Sequence, residues 1–265
     1  MATISALVTV YHGTDEHDLV RALDSLAAQT RPADELVIVA DGPVSEGVRR
    51  VVERQDARVI WLPENVGAGP ASQAGLATID SDYTARLDSD DAAKPTRFAR
   101  QLEYLEAHPE VGALGTAVEE FAETPGDTGK VRALPEDPHA YAKMNSPVNN
   151  PSVMLRTPAV KEVGGYRDVH FMEDYDLYAR LISGGWQVRN LPEALTDFQV
   201  TDAQFSRRTG REMLAAEAQM QRNLVTYGLV SRPRAAFNLA ARTAYRALPT
   251  GLLRRVYAAL FHREG

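Results

Sequence analysis

The 265-residue chain contains no cysteine, which excludes disulfides, thiolate metal sites and a cysteine nucleophile and accords with a reducing compartment. No uninterrupted apolar run approaches the ~18 residues of a membrane-spanning helix, so an integral membrane protein is not expected. Met1-Ala2-Thr3-Ile4-Ser5 carries no basic region and leads straight into an apolar run, so no signal peptide is expected. Two phosphate-binding signatures are also missing. Tyr11-His12-Gly13-Thr14-Asp15 is neither glycine-rich nor basic, and Gly67-Ala68-Gly69-Pro70-Ala71-Ser72 lacks the third glycine of a dinucleotide fingerprint.

What is present is an ordinary globular composition, 44% hydrophobic and 25% charged, with a length that suits one large domain or one domain with appendages. The net charge of −7 is unevenly spread. Residues 1–206 hold 18 basic against 33 acidic side chains, a balance of −15, whereas residues 207–265 hold 11 against 3, a balance of +8. A basic tail on an acidic body suggests an anionic partner for the tail.

Along the chain, strand-like and helix-like stretches alternate with short links. Ile4 to Val10 reads as a strand buried on both faces, and Glu35 to Ala40, Arg58 to Leu62 and Tyr83 to Leu87 as further strands. Leu19, Leu23 and Leu26, then Val48, Val51 and Val52, then Ala71 to Thr78 read as the helices between them. Pro95 with Phe98, Leu102 and Leu105 marks a further helix, Val111 to Phe121 and Pro151 to Leu155 further strands, and Ala122 to Pro138 a surface loop. Gly184-Gly185 ends a helix opened by Glu173-Asp174, and Trp186 to Leu191 reads as the last strand. This alternation marks an open α/β sheet, and the polar punctuation falls at the C-terminal ends of strands, where such sheets bind ligands. Beyond Arg207 the pattern turns helical: Met213 to Tyr227, Arg234 to Leu248 and Leu252 to Phe261. The last two carry Arg242, Arg246, Arg254, Arg255 and Arg263. Two accounts of these helices are open, an amphipathic face laid on an anionic bilayer or a packing helix with a solvated arginine face. No aromatic platform or nucleic-acid motif accompanies the charge, so no nucleic-acid partner is expected.

The chemistry concentrates at Asp88-Ser89-Asp90-Asp91, directly after the fourth strand. Three carboxylates so close repel one another, and a hard divalent cation with oxygen ligands is the natural compensation. Alone, the stretch could equally be a solvated turn leading into a helix. Asp41 and the Glu173-Asp174 pair likewise sit at element ends, and each alone has a structural account.

Taken together, Val8-Thr9-Val10-Tyr11, Asp41-Gly42, Asn65-Val66-Gly67, Arg86-Leu87-Asp88-Ser89-Asp90-Asp91, Gly164-Gly165-Tyr166 and Glu173-Asp174-Tyr175-Asp176-Leu177 resemble the family 2 inverting glycosyltransferases. The resemblance runs from about Thr3 to Arg208 and is greatest to bacterial enzymes that extend lipid-linked sugars for surface polysaccharides. It implies an α/β GT-A fold, with a Rossmann-like, mostly parallel central sheet flanked by helices. Residues 1–206 would form the nucleotide-sugar transferase domain and residues 207–265 a basic helical C-terminal extension. The implied reaction is metal-dependent, inverting transfer of a sugar, galactosyl as a first assignment, from a UDP-sugar to a hydroxyl of a lipid-linked glycan. The implied location is cytoplasmic, peripheral on the inner face of the cell membrane.

Residue by residue, the resemblance gives Thr9, Tyr11, Asp41, Asn65, Gly67 and Arg86 to the nucleotide-sugar, with Asp41 accepting from a base N–H. Asp90 becomes a direct ligand of Mn²⁺ or Mg²⁺, with Asp91 beside it and Asp88 holding either the ribose or the metal's water. Arg207 and Arg208 form a second clamp on the leaving group. Asp174 is the base, Glu173 assists or caps, and Asn150 and Tyr166 face the acceptor. Gln73 and Asn150 stand where many relatives have asparagine and histidine, which bears most on the acceptor. A nucleotidyltransferase would also need acids and a metal, but normally with a glycine-rich basic loop after the first strand. A non-catalytic sugar-nucleotide binding module would tolerate loss of Asp174. A glycoside hydrolase also uses paired carboxylates, yet it would not need Asp41 or Asn65.

Overall fold

The computed structural model describes residues 2–200 and 211–246. Arg207, Arg208 and the expected helix from Leu252 to Phe261 lie outside the described residues. Strands Ile4–Tyr11 (β1), Glu35–Asp41 (β2), Arg58–Trp61 (β3) and Tyr83–Asp88 (β4) run parallel. Helices Glu16–Ala27 (α1), Glu46–Glu53 (α2) and Ala68–Leu76 (α3) connect them. Asp15 caps α1 by accepting from His17 and Asp18 N–H at 2.8 and 3.2 Å, and Ser45 caps α2 through Val48 N–H.

The inner strands β1, β2 and β4 are buried on both faces, which explains their nearly uninterrupted apolar runs, whereas the edge strand β3 is exposed at both ends. Ile4, Ala6, Val8 and Val10 pack with Leu19, Leu23 and Leu26 of α1 and with Val48, Val51 and Val52 of α2. Leu7, Val37 and Val39 face the other way, toward Ala71 and Ile79. There α3 lies so close that a Cβ on Gly75 would meet Leu7 Cδ1 at 2.5 Å. Each fully buried Leu or Val contributes about 1.5–3 kcal/mol, so these layers set the stability of the strand ends they carry.

The second half is more mixed than the sequence suggests. It adds Ala92–Ala93 (β5), Arg97–Ala107 (α4), Val111–Phe121 (β6), Lys130–Arg132 (β7), Met154–Arg156 (β8), Thr157–Glu162 (α5), Glu173–Ser183 (α6) and Gln187–Gln199 (β9). The strand order is β3-β2-β1-β4-β8-β6-β9-β5, with β7 on β6. β8 is antiparallel to both neighbours, while β6 and β9 are parallel. The expected strand over 151–155 begins later, at Met154, because Pro151 has no N–H for the ladder and sits instead in a 3-10 turn, Asn150–Ser152. β9 continues past Leu191 to Gln199 with shifts in register, since Leu195 and Phe198 are buried again beyond Pro192. Within the expected loop 122–138, Lys130–Arg132 pairs back onto β6.

Helices Arg211–Thr226 (α7) and Arg232–Arg246 (α8) pack on the body. Met213, Ala216, Met220 and Leu224 of α7 cluster with Val169, Met172, Tyr175 and Ala179. Arg242 is not a membrane-facing cation: it pairs with both oxygens of buried Glu217, at 2.6 and 2.7 Å, and donates to the carbonyl of Met144.

Candidate active site

The register sets three strand ends side by side, with Tyr11 opposite Asp41 and Thr9 opposite Asp88. They open onto a cleft of about 710 Å³. Of the residues expected there, Thr9, Tyr11, Asp41, Asn65, Gly67, Arg86, Asp88, Asp90 and Glu173 line it. Asp91, Asp174, Asn150 and Tyr166 are not on its wall.

Asp41 is buried, and its two carboxylate oxygens accept from Val66 N–H at 2.7 Å and Gly67 N–H at 3.1 Å. Asn65 returns the bond, donating its side-chain N–H to the Asp41 carbonyl at 3.2 Å. Gly42 is required for this approach: its φ is +80°, and a Cβ there would lie 2.5 Å from Asn65 N. Asp41 therefore shapes the Asn65–Gly67 loop, and its remaining lone pairs are what it has to offer a ligand.

Arg86, on β4, is buried and ion-paired to Asp88. Burial opposes its charge, but Asp88, Tyr166, Glu173 and Tyr178 outweigh burial and raise its pKa, so it is a permanent cation on the cleft floor. Below it lies fully buried Arg97, which donates to the Arg86 and Val153 carbonyls at 2.7 and 3.0 Å. Burial pushes Arg97 down to about 9, against the pull of Asp91 and Asp88.

Asp88, Asp90 and Asp91 each bring a carboxylate oxygen within 4.8 Å of the others. Asp91 Oδ1 accepts from Gln199 N–H at 2.8 Å, while its Oδ2 is buried with no hydrogen-bond partner. Burial, then Asp90 and Asp88, push the Asp91 carboxyl well above the usual carboxylate range. A buried carboxylate with an orphaned oxygen, grouped with two more carboxylates, fits a hard divalent cation with oxygen ligands.

Across the cleft, α6 begins with Glu173 and Asp174. Glu173 is on the wall; burial, then Asp174, push its carboxyl up to about 7. Asp174 turns aside, accepting from Tyr175 N–H at 2.7 Å and Ser146 Oγ at 3.3 Å, and burial raises its pKa as well. Behind the wall, Tyr166 N–H donates to Gln73 Oε1 at 2.8 Å, and Tyr178 donates to Asn150 Oδ1 at 2.9 Å. Gln73 thus holds the Gly164-Gly165-Tyr166 loop, whose Gly165 has φ +63° and leaves no room for a Cβ beside Gln73 Oε1.

One buried network ties this half together. Asp176 accepts from Arg180 at 2.8 Å, Asn223 at 2.8 Å and Tyr227 at 2.7 Å, while Arg180 donates to the Val163 and Gly165 carbonyls at 2.6 Å each. Sequence reasoning singled out neither Arg180, Asn223 nor Tyr227 as partners of Asp176, nor Ser146. His170 is exposed and lines the cleft beside Phe171, and sequence reasoning assigned neither residue to the site.

Comparison with known proteins agrees with this geometry. The amylovoran biosynthesis glycosyltransferase AmsE of Erwinia amylovora is 34% identical, with 96% of this chain and 97% of that protein covered. A UDP-Gal:alpha-D-GlcNAc-diphosphoundecaprenol beta-1,3-galactosyltransferase of Escherichia coli is 28% identical over 98% of this chain and 96% of its own length. Among solved structures, S. aureus TarS 1-349 in complex with UDP superposes with a TM-score of 0.66 at 16% identity, covering 97% of this chain and 75% of TarS 1-349. The Pyrobaculum calidifontis mannosyltransferase PcManGT, in complex with GDP-Man and Mn²⁺, gives 0.65 at 19%, covering 98% and 80%. The fold is GT-A. Residues 5–159 match glycosyl transferase family 2, and the chain belongs to that family as a glycosyltransferase.

Proposed function

We propose that the protein transfers a hexosyl group, galactosyl as the first assignment, from a UDP-sugar to a hydroxyl of a lipid-linked glycan, with inversion, in the making of a bacterial surface polysaccharide. The observation that carries this reading is the convergence of Tyr11, Asp41, Arg86, Asp88 and Asp90 on one cleft that Glu173 also lines, with Asp91 grouped behind the two cleft aspartates. The E. coli relative's name, the UDP-bound TarS complex and the Mn²⁺-bound PcManGT complex support the donor, acceptor and metal classes.

In this reading Thr9, Tyr11, Asp41 and the Asn65–Gly67 loop receive the uridine. Asp90 and Asp91, with Asp88, would hold Mn²⁺ or Mg²⁺, which supplies positive charge to the departing diphosphate. Arg86 keeps Asp88 oriented and adds charge to the cleft floor. The acceptor oxygen bonds to the anomeric carbon as the bond from that carbon to the diphosphate oxygen breaks. The acceptor proton passes to the Glu173–Asp174 pair, with Asp174 as the assigned base and Glu173 assisting, and UDP leaves. One base and no enzyme nucleophile give inversion. A base whose pKa lies near the working pH contributes about 10²–10⁴-fold, and orientation and charge supply the rest.

Attachment to the inner membrane face through the C-terminal segment is part of the same reading. Arg232, Arg234 and Phe237 are exposed on α8, with Phe237 at 60%. Cosedimentation with phosphatidylglycerol vesicles is expected for the wild type and weakened in Arg232→Glu/Arg234→Glu/Phe237→Asp. Equal sedimentation would remove α8 from the account. The reaction itself is tested by following transfer from UDP-galactose, UDP-glucose and UDP-N-acetylglucosamine to a synthetic N-acetylglucosaminyl-diphospholipid. Product from one donor, with its linkage inverted by NMR, is expected; donor hydrolysis without transfer, or no reaction with all three, would overturn the reading.

A further inference from the structure

Among the described residues Phe171 is the only non-glycine at positive φ, 61°. Met172 N–H donates to the Val169 carbonyl at 2.8 Å, which closes a tight turn with Phe171 as its third residue. Glycine or asparagine ordinarily fills that position, because a Cβ crowds the backbone there. A bulky side chain held in this region strains the chain, and such strain is found at ligand clamps and active sites. Core packing does not account for the phenylalanine, since the residue is 39% exposed. Its ring lies against His170, with centroids 3.8 Å apart and planes at 42°, and both residues line the cleft two to three positions before Glu173.

The mounting is rigid on both sides. A Cβ on Gly69 would meet the Arg167 carbonyl at 2.5 Å and Glu173 Cβ at 3.0 Å, so the first turn of α3 abuts this loop. Val169 and Met172 are buried among α6 and α7 residues. A fixed, part-exposed aromatic face two residues before the Glu173 carboxylate suits a ligand with one apolar face and a polar rim. A pyranose has that form, with axial C–H bonds on one face and hydroxyls around its edge. Phe171 lies beside the start of α6 and its Glu173 carboxylate, whereas the strand ends carry the groups suited to a nucleotide diphosphate.

We propose that Phe171, backed by His170, is the acceptor-sugar platform: it takes the C–H face of the acceptor pyranose and turns one hydroxyl toward the Glu173–Asp174 pair. The proposal rests on the transfer reading given above. The test compares Phe171→Trp, Phe171→Leu and Phe171→Gly in transfer to a water-soluble acceptor without a lipid tail, alongside calorimetry of UDP binding. Phe171→Trp should keep the acceptor KM within about twofold. Phe171→Leu and Phe171→Gly should raise it about tenfold or more with kcat and UDP affinity little changed, as expected for loss of uniform binding. Phe171→Gly should also raise Tm by relieving the positive φ, so a variant that folds better would bind acceptor worse. An unchanged acceptor KM in Leu and Gly, a change confined to the UDP-sugar KM, or an effect seen only with lipid-tailed acceptors would each overturn the platform. If the wild type transfers nothing, the transfer reading fails by itself, and saturation-transfer NMR with methyl N-acetyl-α-D-glucosaminide then decides the platform. Ring-face saturation lost in Phe171→Gly supports it, and equal saturation in both proteins overturns it.

Discussion

The two walls of the cleft are built in different ways. The side proposed for the nucleotide is made of strand ends and the loops directly after them: sheet register aligns Tyr11 with Asp41 and Thr9 with Asp88, and the Asp41 carboxylate holds the Asn65–Gly67 loop by its backbone N–H groups. The opposite side is held by side chains that meet across long sequence distances. Gln73 secures Tyr166, Ser146 touches Asp174, and Asp176 gathers Arg180, Asn223 and Tyr227. A wall made by register tolerates little variation in position and much in what it faces. A wall made by side-chain networks can be re-specified one contact at a time, which suits the side proposed for the acceptor.

The largest effect that would sharpen this contrast is at Asp90 on the register-built wall. Asp90→Ala should abolish transfer, at about 10³-fold or more in kcat/KM, because the departing diphosphate loses its charge stabilisation. Retention of a tenth of the activity at saturating Mn²⁺ would show that the cluster is not the metal site. On the other wall, Asp174→Asn should lower kcat by about 10²–10⁴-fold while UDP affinity stays within twofold. Should Glu173→Gln instead carry that loss and Asp174→Asn little, the base is the residue on the cleft wall.

The same pair gives a pH signature. Glu173 is pushed up to about 7 from its ordinary 4.5, by burial and then by Asp174. The folded state therefore holds its proton more tightly than the unfolded chain does. The stability Glu173 contributes is full below about 4.5 and lost as pH rises through about 7. Thermal melts of the metal-free protein should show this fall, and Glu173→Gln should flatten it. Activity should rise through the same window as the pair ionises; removing the like charge of Glu173 should move that limb to lower pH.

Next in size is the network. Asp176→Ala leaves buried Arg180 without its carboxylate and should cost about 3–5 kcal/mol in urea unfolding, whereas Tyr227→Phe removes one hydrogen bond and should cost about 1–3 kcal/mol. Under native conditions Tyr227→Phe should raise the acceptor KM and leave UDP binding alone; a change in UDP affinity would mean that the walls are not separable. The smallest expected effect mirrors it on the other side. Gly75→Val places a Cβ against Leu7 and Val39 and should cost about 1–3 kcal/mol with UDP affinity little altered.

The same contrast decides how much was legible in the sequence. The parallel half could be read because its inner strands are buried on both faces and its polar residues fall at strand ends, as with Asp41 and Asp88. Mixed pairing was not legible: nothing local distinguishes Met154–Arg156 as an antiparallel strand between two others, and Pro151 only delays its start. Arg242 reads as part of a basic face from spacing alone, yet it is the half-buried partner of buried Glu217, 25 positions away. Phe171 gave no signal, because its importance lies in a backbone angle that phenylalanine does not advertise. The glycine pair before Tyr166 was legible as a motif, but its reason is the Gln73 side chain that a Cβ on Gly165 would strike.

The central claim is that the strand-end aspartates and the Asp41 loop form a metal-assisted uridine diphosphate site. Isothermal calorimetry of UDP with and without Mn²⁺, on wild type and Asp90→Ala, tests it most directly. The account predicts binding that strengthens with Mn²⁺ in the wild type and loses that dependence in Asp90→Ala. Equal UDP binding by both proteins, with no response to Mn²⁺, would contradict it.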